Sequence, residues 1–309
     1  MLSFLKKKSA VNGLTSLVIN KGGVSFAHVR DGHTQPELVC CEYSASTNPL
    51  VEPKRFRDLI EANNLLGSKT SLVLPESSYQ IHLVERPEVP DEELTEALRW
   101  RIKDLITFDV EQAVIDYIDL PEDAYRSRSR MVYAIAAEQA KVDLWVDWCS
   151  EIGLDIAAVD VPELALLNLT EDLADSESGL AVFNIGEEGS SINLLSDSAL
   201  YFTRNLSYCH ASAPENASAA VLELQRSLDY YESQVGKPPC VRLLVMPMQA
   251  DESPLMNELR YSLALDIHSL DLNNLISSDI DLTESLQNQA TVAIAAALRT
   301  EFAITEVVK

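Results

Sequence analysis

The sequence is short of positive charge and of glycine. Its 309 residues contain 24 Lys plus Arg against 48 Asp plus Glu, which gives a formal net charge of -24 at pH 7. A protein that binds the phosphate backbone of nucleic acid needs a basic surface, so this composition argues against a nucleic-acid partner. The chain has 10 glycines, and none follows Gly236. Close approach of the backbone to a ligand, which glycine permits, is therefore not expected beyond that residue.

Several chemical motifs are also missing. The sequence has no run of 18 apolar residues and no apolar signal segment at its start, which predicts a cytoplasmic protein. Its five cysteines lack CxxC spacing, which is typical of reduced thiols. The histidines lack metal-ligand spacing, and the sequence contains neither a Gly-x-Ser-x-Gly motif nor a Walker lysine. We therefore expect no catalytic residues, no metal site and no enzyme activity.

The first residues combine apolar and basic side chains. Leu2, Phe4 and Leu5 are followed by three lysines at positions 6–8. A lysine near an anionic membrane surface contributes about 1 kcal/mol, so three are too few for stable anchoring. Two interpretations stay open: a frayed terminus and a weak contact with the inner membrane.

Two short segments have the same strand-turn-strand pattern. Residues 17–26 and 181–192 each contain an apolar strand, an Asn-x-Gly turn that begins at Asn20 or Asn184, and a second strand. Glycine-rich turns expose backbone N–H groups, and two such turns that face each other can hold a polyphosphate. This duplication resembles the actin-like fold, also called ribonuclease H-like. It predicts an α/β protein with two lobes and a central cleft.

The remaining pattern alternates strands and helices, as in an α/β protein. A helix is predicted from Asp91, and residues 70–74 and 79–84 are expected to form paired strands. The first lobe is predicted over residues 1–160, with an inserted subdomain at about 70–136 and a closing helix at 290–309. The second lobe is predicted over residues 161–289.

Several segments resemble the PilM family of type IV pilus assembly proteins. The similar segments are residues 86–94, 97–100, 116–117, 201–204, 223–231 and 292–299. Within that family the sequence looks most like the MshI group, which serves the mannose-sensitive haemagglutinin (MSHA) pilus. The cytoplasmic domain of the type II secretion protein GspL is a more distant relative. The resemblance implies an actin-like protein, peripheral to the inner membrane, that binds the cytoplasmic tail of a PilN-like protein and links it to the assembly ATPase.

The phosphate loops depart from the family pattern. Family members with an intact site have Asp-x-Gly in the first hairpin, whereas this chain has Asn20 there and Asn184 in the second hairpin. Mg²⁺ prefers carboxylate ligands. Glu187 and Glu188 also stand where a phosphate would bind. A carboxylate about 6 Å from a phosphate costs about 3 kcal/mol at an effective dielectric of 20, whereas a micromolar affinity amounts to about 8 kcal/mol.

These departures make the loops vestigial phosphate sites. Their candidate residues are Asn20, Lys21, Gly22, Gly23, Asn184 and Gly186. A non-catalytic scaffold of pilus assembly without a cofactor is the preferred hypothesis. Two others stay open: a protein that still binds ATP with Mg²⁺, and an unrelated two-lobed enzyme such as a sugar kinase relative.

A peptide groove is predicted in the first lobe. Its candidate wall contains Arg99, Trp100, Arg101 and Tyr117. Extended peptides bind through apolar pockets and through backbone pairing at an exposed edge. The alternative is that Trp100 and Tyr117 are core aromatics, since large aromatics dominate burial in cores.

Overall fold

A computed structural model describes residues 11–30, 35–125, 129–170, 173–174, 178–209 and 216–299. The N-terminal segment with Leu2, Phe4 and Leu5, and residues 300–309 of the predicted closing helix, lie outside the described residues.

The strands are β1 (Leu14–Asn20), β2 (Gly23–Arg30), β3 (Glu37–Ala45), β4 (Lys69–Val73), β5 (Tyr79–Glu85), β6 (Ala113–Asp119), β7 (Met131–Glu138), β8 (Asp155–Asp160), β9 (Gly179–Ile185), β10 (Ser190–Ser196), β11 (Ala199–Leu206), β12 (Cys240–Met246), β13 (Asp266–Ser269) and β14 (Ser277–Ser278). The helices are α1 (Pro53–Ala62), α2 (Asp91–Ile102), α3 (Gln139–Glu151), α4 (Pro162–Ala165), α5 (Leu167–Thr170), α6 (Ala217–Tyr230), α7 (Pro254–Ser262) and α8 (Glu284–Ala297). Among the described residues, no helix has the length and apolar composition needed to cross a membrane.

The two main sheets repeat one topology. The first has the order β14-β3-β2-β1-β4-β8, and the second has the order β11-β10-β9-β12-β13. In each, an antiparallel three-stranded meander is followed by parallel strands added beside its first strand. The hairpins close with Asn20 opposite Gly23 and Ile185 opposite Ser190. The prediction of a duplicated hairpin in a two-lobed α/β protein is confirmed.

Helix α8 covers the first sheet, where it contacts β1, β2, β3 and β4. Its buried positions are mostly alanine, so the helix can approach the sheet closely. Ser16 and Ser25 are buried in the facing strands, and each hydroxyl donates to a backbone carbonyl oxygen of α8, at Ala293 and Gln289. The helix begins at Glu284, earlier than expected, because the Thr283 side chain accepts from the Leu286 N–H and caps it.

A third sheet, with the order β5-β7-β6, forms a subdomain inserted in the first lobe. Helix α2 covers one face of it through Leu94, Leu98 and Ile102, which are fully buried. The expected pairing of residues 70–74 with 79–84 is wrong. Strand β4 pairs with β1 and β8, whereas β5 pairs with β7. The chain leaves the first sheet after β4, and the turn at 75–78 carries it into the subdomain.

The subdomain sheet also contacts the second lobe. The Tyr133 hydroxyl accepts from the Thr203 N–H at 2.9 Å. Lys237 pairs with Asp123 at 2.7 Å, and its Nζ lies 4.3 Å from the ring centroid of Tyr201. The subdomain is therefore bound to both lobes.

A buried polar network continues from this contact. The Thr203 hydroxyl donates to the Asn193 side-chain oxygen, and the Asn193 amide donates to the Glu163 backbone oxygen, each at 2.7 Å. The Tyr79 hydroxyl donates to the Glu163 carboxylate, also at 2.7 Å. Burial raises the pKa of the Glu163 carboxyl. The network joins the subdomain, the connection between the lobes and the second sheet.

Candidate functional site

The two predicted phosphate loops meet across the cleft between the lobes. Asn20, Lys21, Asn184 and Gly186 all line this cleft. The Gly22 N–H points across it and donates to the Glu187 carboxylate at 3.0 Å. The structure therefore brings the candidate residues of both hairpins together, in contact with each other.

Gly23, in contrast, lies in the sheet. It is buried at the start of β2, and a Cβ atom there would lie 2.5 Å from the Ser44 backbone oxygen. The sheet strands are packed too closely at this point for any side chain. Gly23 thus shapes the hairpin.

The cleft is small. Its cavity measures about 60 Å³. Pockets for small organic ligands measure about 300–1,000 Å³, and a water molecule takes about 30 Å³ in the liquid. The cleft in this conformation is therefore much smaller than a typical pocket for a small organic ligand.

The electrostatics of the cleft disfavour an anion. Glu76, Glu187 and Glu188 line it. Desolvation, followed by the neighbouring carboxylates of Glu163 and Glu188, raises the pKa of the Glu76 carboxyl. Lys21 is the nearby cation, but its side chain is 78% exposed and lies 3.7 Å from Glu188. A polyphosphate in the cleft would be repelled by these carboxylates.

Sequence reasoning missed Glu76 and the buried Asp160. Glu76 follows parallel strand β4, and Asp160 ends parallel strand β8. Ligand sites of open α/β sheets lie at the carboxyl ends of such strands, and this positional rule could have found both residues. Asp160 pairs with Arg299 at 2.8 Å, while burial raises the pKa of its carboxyl.

The far side of the cleft also fits nucleotide poorly. The segment after β12 contributes Pro247, and α8 contributes Asn288, Gln289 and Val292. The segment after β12 has no glycine, so the close backbone approach to a ligand that glycine permits is not available there. Among the described residues, no group of three or more His, Cys, Asp or Glu side chains is arranged to hold a metal ion. The residues present therefore do not fit Mg²⁺-ATP.

Four cysteines are buried away from the cleft. Burial is the main cause that raises the pKa of the thiols of Cys40, Cys41, Cys149 and Cys240 to about 12. A nucleophilic cysteine needs the opposite shift, because the thiolate is the reactive form. These four thiols are structural.

An open groove lies on the subdomain, away from the cleft. Its volume is about 780 Å³, and its lining includes Arg86, Pro87, Trp100, Arg101 and Arg130. Helix α2 presents Trp100 here because its buried positions face the sheet and leave the opposite side in solvent. The Trp100 side chain is 64% exposed.

The predicted peptide-binding residues divide into two pairs. Trp100 and Arg101 line the groove, and Arg101 also pairs with Glu85 at 2.7 Å. Arg99 and Tyr117 do not line it. Arg99 donates to the backbone oxygens of Val110 and Ala113, and Tyr117 packs against the apolar cluster under α2.

Comparison with known proteins agrees with this architecture. Residues 72–218 match the model of the family described as type IV pilus assembly protein PilM. No curated protein matches the sequence. Among solved structures, the PilM-PilN type IV pilus biogenesis complex is similar at a TM-score of 0.75 and 20% identity, over 94% of this chain and 98% of that chain.

Two further structures share the fold. A Bacteroides thetaiotaomicron protein with an actin-like ATPase fold and unknown function matches at a TM-score of 0.55 and 13% identity, over 93% of this chain and 98% of that one. The cytoplasmic domain of EpsL, an inner-membrane component of the type II secretion system of Vibrio cholerae, is similar at a TM-score of 0.52 and 11% identity. The match covers 94% of this chain and 100% of that chain. The chain has an actin-like fold, and its predicted resemblance to the PilM family is confirmed.

Proposed function

We propose, from the similarity of residues 72–218 to the PilM family, that this chain is a non-catalytic scaffold of type IV pilus assembly. In this proposal it works in the cytoplasm at the inner membrane, in a pilus of the MSHA kind. It binds the cytoplasmic tail of a PilN-like membrane protein and links it to the assembly machinery, including the assembly ATPase. The similar PilM structure was solved as a complex with PilN, which supports a partner of this class.

The groove at Trp100 is the proposed site for that tail. Exposed aromatic side chains in concave surfaces are typical anchors of protein interfaces. An apolar side chain of the tail would pack on Trp100 and Pro87, and Arg101 and Lys103 would hold its polar groups. The Lys103 Nζ lies 5.4 Å from the centre of the Trp100 ring, so both groups are available on one surface.

Replacing Trp100 by alanine tests this site. We expect the affinity for a synthetic PilN-like tail peptide to fall about tenfold or more, since a central aromatic anchor contributes about 1.4 kcal/mol or more. Fluorescence anisotropy of the labelled peptide measures the change. The melting temperature should stay the same, because most of the Trp100 side chain is in solvent.

Leu144→Ala is the matched control for Trp100→Ala. Leu144 is another exposed apolar residue, 47% exposed on α3 and outside the groove. The Leu144→Ala variant should bind the tail peptide with an affinity within about twofold of the wild-type value. Equal losses in both variants, or wild-type affinity in Trp100→Ala, would show that the tail binds elsewhere.

ATP binding is the second candidate function, because Lys21 and the Gly22-Gly23 turn are retained. A ligand at 100 times its Kd stabilises a protein by about 2.7 kcal/mol, which thermal unfolding detects readily. We expect no rise in melting temperature up to millimolar ATP with Mg²⁺, since the cleft is small and acidic. A clear rise that is lost in Gly186→Val would establish nucleotide binding instead.

A further inference from the structure

The Gly22 turn already has an anionic ligand, the carboxylate of Glu187. The Gly22 N–H donates to one of its oxygens at 3.0 Å. A Cβ atom on Gly22 would lie 2.9 Å and 3.1 Å from the two carboxylate oxygens. Both carboxylate oxygens therefore lie against the turn. They occupy the space that a side chain at Gly22 would take.

The second hairpin positions this carboxylate. The Gly186 N–H donates to the Gly189 oxygen at 2.7 Å and closes the turn, which leaves Glu187 and Glu188 at its tip. Glu187 contacts the Gly22 backbone, whereas Glu188 pairs with the exposed Lys21 side chain. The two neighbouring glutamates thus have different contacts with the first lobe.

Tyr43 forms part of the same small site. Its hydroxyl oxygen would lie 3.0 Å from a Cβ atom on Gly22. Desolvation, followed by the charge of Glu187, raises the pKa of the Tyr43 hydroxyl, so it stays a protonated donor at neutral pH. A backbone N–H and a phenol hydroxyl that lie beside one carboxylate are donors that also suit a phosphate oxygen.

We propose that the Gly22 turn is an oxyanion site that the chain fills with its own Glu187, so that an external phosphate group must displace this side chain. A tethered ligand has an effective concentration in the millimolar range. Dilute phosphate compounds therefore do not compete. This proposal concerns the cleft alone and does not depend on the partner proposed for the Trp100 groove.

Amide hydrogen exchange at Gly22, followed by nuclear magnetic resonance, measures the internal contact. In Glu187→Ala we expect the Gly22 amide to exchange about ten- to a hundredfold faster, because a hydrogen bond to a charged acceptor is lost. Glu188→Ala is the control and should change that rate less than about twofold. Equal rates in wild type and Glu187→Ala, or equal acceleration in both variants, would overturn the proposal.

Inorganic pyrophosphate without metal tests the oxyanion site directly. At constant ionic strength, pyrophosphate should shift the Gly22 amide resonance and raise the melting temperature in Glu187→Ala at lower concentrations than in wild type or Glu188→Ala. Equal binding to wild type and Glu187→Ala would overturn the competition. If the Gly22 amide of Glu187→Ala binds no pyrophosphate at 10 mM, the turn is not an oxyanion site and the proposal is overturned.

Glu187→Gln and the tail peptide complete the experiment. The glutamine variant keeps an acceptor without charge, so its Gly22 exchange rate should fall between wild type and Glu187→Ala. Peptide affinity should be the same in all of these variants. Failure of the peptide to bind any of them would count against the proposed function and leave the assignment of the oxyanion site intact.

Discussion

Replacing Gly23 by alanine should lower the free energy of unfolding by about 3 kcal/mol or more, and the melting temperature by roughly 5–10 °C. The added Cβ would lie 2.5 Å from the Ser44 oxygen and 2.9 Å from the Ala45 Cα. Both are backbone atoms of the neighbouring strand β3, which is itself paired. The clash can be relieved only by shifting strands in the centre of the sheet. Thermal and urea unfolding measure the loss.

Gly22→Ala is the matched control for Gly23→Ala. The three atoms nearest to a Cβ atom on Gly22 would be the ends of the Glu187 and Tyr43 side chains, at 2.9–3.1 Å. Such side chains can turn away, so this variant should lose less than about 1 kcal/mol. If the two adjacent variants unfolded alike, close strand packing at Gly23 would not explain the result.

Replacing Asn193 by alanine should cost about 2–4 kcal/mol of unfolding free energy. Asn193 is 1% exposed, and its amide binds both the Thr203 hydroxyl and the Glu163 backbone oxygen. The substitution leaves two buried polar groups without a partner and opens a cavity. Urea unfolding at pH 7 measures the change.

Asn257→Ala supplies the comparison for Asn193→Ala. Asn257 lies on the surface of α7, and its side chain donates to the Glu252 oxygen at 3.1 Å. Water can replace that partner, so the loss should stay within about 0.5 kcal/mol. Similar losses at both positions would show that the buried network adds little to stability.

The repeated hairpin was the part of the fold that the sequence showed most clearly. Asn20 and Asn184 each precede a turn whose glycine lies two residues later, and both turns join the strands that the alternation of residues indicates. Turn chemistry and strand patterns are local, so one sequence contains them in full. The lobed α/β architecture followed from finding the pattern twice.

The contacts between distant segments could not be predicted in the same way. The sequence suggested that Glu187 stands near a phosphate position, but not that it binds the Gly22 N–H. Likewise, no local pattern relates Tyr133 to Thr203 or Asp123 to Lys237. These pairs depend on how the subdomain packs on the second lobe, which is decided by the tertiary structure as a whole.

Trp100 shows a limit of a different kind. Helical spacing from Asp91 indicates an apolar side of α2 with Leu94, Ala97, Leu98, Ile102 and Leu105. The structure buries Leu94, Leu98 and Ile102, whereas Leu105 is 48% exposed. The same spacing places Trp100 on the opposite side, but aromatic residues are so often buried that a core position stayed open. The structure shows that Trp100 is not a core residue, because its side chain is 64% exposed.

The attachment of the subdomain to the second lobe restricts internal motion. Rotating one lobe away from the other would separate Tyr133 from Thr203 and Lys237 from Asp123. The Tyr133–Thr203 hydrogen bond contributes about 1 kcal/mol. The Lys237–Asp123 pair contributes less than about 1 kcal/mol, because the Asp123 side chain is 63% exposed. Both contacts disfavour a rotated state. A rotation that opens or closes the cleft therefore has to break the contacts between the subdomain and the second lobe.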